Sequence, residues 1–244
     1  MHILSIGNSF SRDAQRYLHG IARADGFDLQ TCNLYIGGCS LSRHYRNMLS
    51  QQPEYFLDVN GHATNFKVTL ADGLLNRDWD VVTLQQASPS STNYETYQPY
   101  LEQLADYVRR CVPKAKIAIH QTWAYEQDSH RLNVLMGYSH HADMFRDLQQ
   151  AYDQAAQAIR ADYVIPSGQV FEALLDAGIE KIHRDTYHAS LGLGRYALGL
   201  TWYAVLTGRD VRANTYSDFD EAITPEQIEI VKQCVAAITE NYRK

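Results

Sequence analysis

Apolar residues along the chain fall into two rhythms: short unbroken runs, and longer stretches with helical spacing. Residues 3–6 form a short run closed by Gly7-Asn8, which predicts a strand. Residues 13–24 follow with Ala14, Tyr17, Leu18 and Ile21 in helical phase. Residues 29–36 predict a second strand, ending in Gly37-Gly38, and 41–49 a helix. Further strands are expected at 79–84, where Val81-Val82-Thr83-Leu84 is a buried β-branched run, at 115–120 and at 163–165. Helices are expected at 97–111, 141–160, 169–177, 189–206 and 225–242. In the 141–160 segment, Met144, Leu148, Tyr152, Ala155 and Ile159 share one face. Residues 55–70 break the alternation. Two β-rich runs flank Asn60-Gly61, which predicts an inserted β-hairpin with a loop longer than two residues. Residues 124–137 are polar and irregular and read as a long loop.

Five strands alternating with helices predict an α/β fold: a three-layer α/β/α sandwich with a mainly parallel five-stranded sheet. A length of 244 residues suits a single domain spanning 1–244, the hairpin at about 55–70 being an insertion. Such sheets bind ligands beyond the carboxyl ends of their strands. Chemistry-bearing residues are therefore expected just after each strand. After the first comes Gly7-Asn8-Ser9-Phe10-Ser11, and after the second Gly37-Gly38-Cys39-Ser40. The third is followed by Gln85-Gln86-Ala87-Ser88 and the fourth by His120-Gln121-Thr122-Trp123, with Asp185-Thr186-Tyr187-His188 near the end.

Composition narrows the function classes. Hydrophobic residues make up 45% and charged residues 20%, as in ordinary globular domains, so a sizeable core is available without staples. A formal net charge of −6 without a basic cluster argues against nucleic acid or an anionic membrane as partner. No run approaches the ~18 apolar residues of a membrane span, and the N-terminus lacks a charged lead and apolar signal core. A cytoplasmic location is expected. The four cysteines, Cys32, Cys39, Cys111 and Cys234, have no CxxC spacing and read as free thiols, although Cys39 lies beside the glycine motif.

The ordered blocks resemble those of the SGNH hydrolases, the GDSL-like esterases and lipases. That family's Gly-Asp-Ser after the first strand is matched by Gly7-Asn8-Ser9. Its glycine after the second strand is matched by Gly37-Gly38, and its terminal Asp-x-x-His by Asp185 and His188. Two positions depart from the pattern. Asn8 replaces the usual Asp, and Leu84-Gln85-Gln86-Ala87-Ser88 stands where Gly-x-Asn-Asp is usual, similar to the glutamine-containing block of sialate O-acetylesterase-like relatives. The resemblance implies a flavodoxin-like SGNH fold and a serine esterase acting on small acyl esters, most naturally acetyl esters of carbohydrates. It implies Ser9 as nucleophile, His188 as general base and Asp185 as the carboxylate that orients it. It also implies an oxyanion hole formed by the N–H groups of Ser9 and Gly38 and a side-chain amide, from either Gln85 or Gln86. No cofactor and no metal are implied, and the partner is a small-molecule or oligosaccharide ester.

Each block has a plainer reading by itself. Ser9 could be a helix cap, Gly37-Gly38 a turn, and Asp185 with His188 a helix start beside a surface histidine. Gln85 and Gln86 could satisfy loop backbone groups. Trp123 and Tyr125 could be a sugar-facing wall or internal packing. His140, His141 and Asp143 lack the spacing of known metal motifs. A different function class, a non-catalytic carbohydrate-binding protein on a decayed hydrolase fold, is the competing expectation. The sequence is silent on oligomeric state.

Overall fold

The computed structural model describes residues 1–242. Its centre is a seven-stranded sheet built from β1 (His2–Gly7), β2 (Gln30–Tyr35), β3 (Tyr55–Val59), β4 (His62–Val68), β5 (Val81–Leu84), β6 (Lys116–Gln121) and β7 (Tyr163–Pro166). The strand order is β4-β3-β2-β1-β5-β6-β7. The β1–β2, β1–β5, β5–β6 and β6–β7 pairs are parallel, whereas β2–β3 and β3–β4 are antiparallel. The five parallel strands are those the hydrophobic runs predict, in the flavodoxin-like order. The sheet exceeds the expected five strands because the 55–70 hairpin pairs edge-on with β2 and continues the sheet. The loop of that hairpin is also shorter than expected. Val59 pairs with His62, so Asn60 (φ 49°) and Gly61 (φ 79°) alone make the turn. Positive φ at both central residues matches the twist of the flanking strands, which is why Asn-Gly is favoured there.

Alternation along each strand sorts residues into two cores, one per face. Ile3, Val81, Ala118 and Ile165 face a cluster that includes α1 (Ser9–Gln15), α2 (Leu18–Ala24), α7 (Ser167–Asp176), α8 (Leu193–Thr207) and α9 (Pro225–Thr239). Leu4, Ile6, Val82, Leu84, Ile117 and Ile119 face α3 (Leu41–Ser50), α4 (Leu70–Leu75), α5 (Tyr100–Cys111) and α6 (His141–Ala158). The α8 helix is buried all round, from Leu193 to Leu206 with the exception of Arg195. Its uniformly apolar sequence therefore has no polar face to offer water. No helix among the described residues is long and apolar enough to cross a membrane.

Two local differences from the sequence expectation bear on function. The helix expected at 13–24 begins at Ser9, because the Asn8 side chain accepts from the Phe10 N–H (3.0 Å) and the Ser11 hydroxyl accepts from the Asn8 N–H (3.1 Å). This reciprocal cap satisfies donors that the first turn leaves unpaired. The helix then breaks at Tyr17, whose hydroxyl donates to the Leu191 carbonyl and accepts from the Asp220 N–H. The α4 helix was not expected. Thr69 and Asp72 form the same kind of reciprocal cap there.

Candidate active site

Ser9 is the first residue of α1, directly after β1 and at the switch point between β1–β2 and β5, where the sheet's connections diverge. The turn is tight. A Cβ on Gly7 would lie 2.0 Å from the Ser11 hydroxyl, so only glycine permits the Ser11 cap. As the first helical residue, Ser9 has an N–H without an intrahelical acceptor, at the positive end of the helix.

Asp185 and His188 lie in the segment between α7 and α8. The bridge between His183 and Ala189 and the Arg184 N–H to His188 carbonyl bond close a tight loop. Thr186 sits at its apex with φ 73°. The loop folds the Asp185 carboxylate back so that Oδ1 accepts from the His188 N–H (2.9 Å) and Oδ2 pairs with His188 Nδ1 (2.8 Å). On the other side of the ring, Nε2 lies 2.8 Å from Ser9 Oγ. Burial pulls the Asp185 carboxyl upward. Hydrogen bonds from the His188 ring and amide, with the charges of His188 and Arg184, outweigh that and hold it below its ordinary value. An ionised Asp185 places the proton on Nδ1 and leaves Nε2 to accept from the Ser9 hydroxyl.

The loop is anchored to the helix that Ser9 begins. Asp13, 1% exposed on α1, accepts from Arg184 (2.9 Å) and from Arg195 (2.9 Å). Spacing along the chain carries no trace of this clamp, since its partners lie 171 and 182 residues from Asp13.

Gly38 lies beside Ser9 in the turn after β2, with φ 59°. Nothing lies within 4 Å of where its Cβ would be, so left-handed backbone rather than crowding selects glycine here. Asn8 ties the two turns together: its Nδ2 donates to the Cys39 carbonyl (3.1 Å).

Neither glutamine lines the cavity that Ser9 and Gly38 share. Gln85, 1% exposed, donates Nε2 to Asn8 Oδ1 (2.7 Å), and its Oε1 meets His120 Nδ1 (2.8 Å). Burial pushes His120 down to about 3, so this ring is neutral and donates. The Gln86 oxygen accepts from the Leu41 and Ala87 N–H groups (2.9 Å each), and its amide donates to Thr96. In this structure both amides brace the turns from behind rather than facing the cavity, away from the oxyanion position expected of Gln85 or Gln86.

Of the two readings of Trp123, the structure fits internal packing. It is fully buried, stacks on Phe10 at 4.3 Å, and donates Nε1 to the Tyr187 carbonyl (2.8 Å). It supports the Ser9 and His188 segments and forms no wall. Tyr125 is nearly buried too, but it lines the cavity in front of Ser9, and its hydroxyl donates to Ser88 Oγ (2.8 Å).

That cavity has a volume of about 480 Å³ and brings together Ser9, His188, Gly38 and Ser88 with the rings of Tyr35, Tyr125 and Tyr187. Clefts of similar size elsewhere, near Trp79 and near His19, contain no serine. Sequence reasoning missed Tyr35, Tyr187 and Arg131 as cavity residues. Tyr187 sits inside the Asp-x-x-His block, where a signal was available. Arg131 lies in a segment read as irregular, and the structure places it in a single π-helical turn (Arg131–Leu135).

The family described as "Domain of unknown function (DUF4886)" matches residues 2–237 of the chain. No curated protein matches it. Among solved structures, a DUF4886 family protein from Bacteroides uniformis ATCC 8492 is 32% identical, with a TM-score of 0.92 covering 100% of this chain and 96% of that one. A proposed SGNH hydrolase from Slackia heliotrinireducens is 23% identical, with a TM-score of 0.59 covering 83% of this chain and 97% of that one. An acetylxylan esterase from Geobacillus stearothermophilus is 14% identical, with a TM-score of 0.53 covering 82% and 91%. These last two share the layered sheet and helices, so the architecture is that of the SGNH hydrolases. By the family match and by its likeness to the Bacteroides protein over its whole length, the chain belongs to the DUF4886 family.

Proposed function

We propose that this protein is a serine esterase that hydrolyses small acyl esters, acetyl groups on carbohydrates foremost. The observation that carries the reading is the unbroken line Ser9 Oγ–His188 Nε2 and His188 Nδ1–Asp185 Oδ2, 2.8 Å at each step, beside a cavity that Ser9 and His188 line. In this reading His188 takes the Ser9 proton as Oγ bonds to the ester carbonyl carbon. The carbonyl electron pair moves to oxygen, facing the N–H groups of Ser9 and Gly38. Ser88 Oγ, which accepts from Tyr125 and keeps its own proton to donate, supplies the side-chain donor in place of a glutamine. Collapse expels the alcohol, which takes the proton from His188. Water then attacks the acyl-Ser9 carbonyl, giving its proton to His188. The acid departs and the proton returns to Ser9.

The substrate class is argued from the lining of the cavity and from the fold. The cavity is lined by tyrosine rings and hydroxyls and has no long apolar groove, which suits a short acyl group on a polar alcohol. The shared fold with an acetylxylan esterase is an analogy in the same direction. The test is hydrolysis of nitrophenyl esters of increasing chain length and of acetylated oligosaccharides by wild type and Ser9→Ala. Turnover should be fastest for acetyl and should vanish in Ser9→Ala with circular dichroism unchanged. Faster cleavage of long acyl chains would overturn the substrate class. Sugar binding without any hydrolysis by wild type would overturn the enzyme itself.

A further inference from the structure

The cavity in front of Ser9 is electrically lopsided. Among the described residues that line it there is no Asp or Glu, and Arg131 is the one Lys or Arg. The Arg131 guanidinium lies over the Tyr187 ring, 3.8 Å from its centroid. The Tyr187 ring in turn lies 3.9 Å from the His188 ring, centroid to centroid. Two ring contacts therefore separate the charge from the imidazole that bonds Ser9.

Arg12 makes an instructive contrast. It also lies over a cavity tyrosine, Tyr35, at 3.2 Å, but its two nitrogens are taken by the Asp58 carboxylate at 2.9 and 2.8 Å. Arg12 is a clamp for Tyr35. The Arg131 guanidinium has no carboxylate or hydrogen-bond partner among the described residues, although the protein as a whole carries an excess of acidic groups. A guanidinium held over a ring by a cation–π contact keeps N–H groups at its edge that can meet two oxygens side by side.

We propose that Arg131 recognises a carboxylate on the alcohol part of the substrate, so that the preferred substrates are acyl esters of acidic sugars such as uronates. This deepens the esterase reading and rests on it for the reaction, though not for the recognition. A planar carboxylate matches the fork in two parallel hydrogen bonds. The acyl group meanwhile sits at Ser9, and the sugar ring spans the gap along Tyr187.

Two measurements separate this proposal from the esterase reading. In the first, kcat/KM is compared for O-acetylated glucuronate and O-acetylated glucose in wild type, Arg131→Lys and Arg131→Met. Wild type should prefer the acidic ester. Arg131→Met should lower the acidic-to-neutral ratio roughly 10- to 100-fold, the range expected for a hydrogen-bonded charge partner. Arg131→Lys, which keeps the charge and loses the fork, should fall between. Equal losses on both esters would mean that Arg131 only props Tyr187, and would overturn the proposal. In the second, calorimetry measures binding of glucuronate, glucose and glucose 6-phosphate to Ser9→Ala, which needs no hydrolysis. Glucuronate should bind best, and Arg131→Met added to Ser9→Ala should abolish the advantage. Glucuronate binding no better than glucose, or a preference for glucose 6-phosphate, would overturn it even if the enzyme proves to be an esterase.

Discussion

Asn8 carries no chemistry in the proposed reaction, yet Asn8→Ala is expected to cost more stability than most single substitutions. Its side chain is 1% exposed and makes three hydrogen bonds: from Phe10 N–H (3.0 Å), from Gln85 Nε2 (2.7 Å) and to the Cys39 carbonyl (3.1 Å). Loss of the helix cap alone costs about 1 kcal/mol. The Gln85 amide and Cys39 carbonyl are then left buried without their partner, at about 1–3 kcal/mol each. A total of about 5 kcal/mol follows, which is a large fraction of the roughly 5–15 kcal/mol that holds a folded domain. For a chain of this length that corresponds to a fall in Tm of roughly 15 °C. Urea unfolding followed by circular dichroism measures it, with an unchanged m-value required for the comparison. The same variant should lose turnover at temperatures where it is still folded, because the Ser9 and Gly38 turns are no longer tied together. A stability loss under about 1 kcal/mol with normal turnover would refute the view that Asn8 is the knot between those turns.

Asp185→Asn should lower kcat by roughly 10³- to 10⁴-fold, because an amide no longer selects the His188 tautomer with Nε2 free; stopped-flow assays with nitrophenyl acetate read this directly, and a loss under tenfold would remove Asp185 from the reaction. Acid should also destabilise the fold steeply. Burial drives His44 and His120 down to about 3 and His183 to about 4, so the unfolded chain takes up protons below its ordinary histidine value while the folded chain does not. Glu172 works against them. Burial and Asp176 raise it to about 7, so its contribution to stability is present below its ordinary value and is lost as pH rises through 7. Three histidines against one carboxyl leave a net loss of ~3 kcal/mol per pH unit as pH falls from about 6.5 to 4.5, at about 1.4 kcal/mol per pH unit for each group. Urea midpoints at pH 7, 6 and 5 check this, and a flat profile would show that the three rings accept protons inside the fold.

The parallel strands were legible because burial on both faces leaves unbroken apolar runs, and the site's location followed from where those runs stop. Ser9 stood out for the same reason, and the Asp185–His188 pair by its resemblance to a known family's terminal Asp-x-x-His block. The roles of Gln85, Gln86 and Trp123 were not legible. A buried amide bracing two turns and an amide aimed at a substrate have the same sequence, and only the identity of their partners separates them. The α4 helix and the early start of α1 carried signals in the Thr69–Asp72 and Asn8–Ser11 pairs, which apolar periodicity alone does not register. Arg131 and the Asp13 clamp depend on long-range juxtaposition, and no local pattern encodes them.

That clamp has a consequence for how the protein comes into being. The hydroxyl at position 9 leaves the ribosome 179 residues ahead of the ring it bonds, and the ring's loop reaches it only when two late arginines close on Asp13. In the proposed reaction a nascent or half-folded chain thus carries an inert serine, and competence waits until the segment bearing Arg184 and Arg195 has docked on α1.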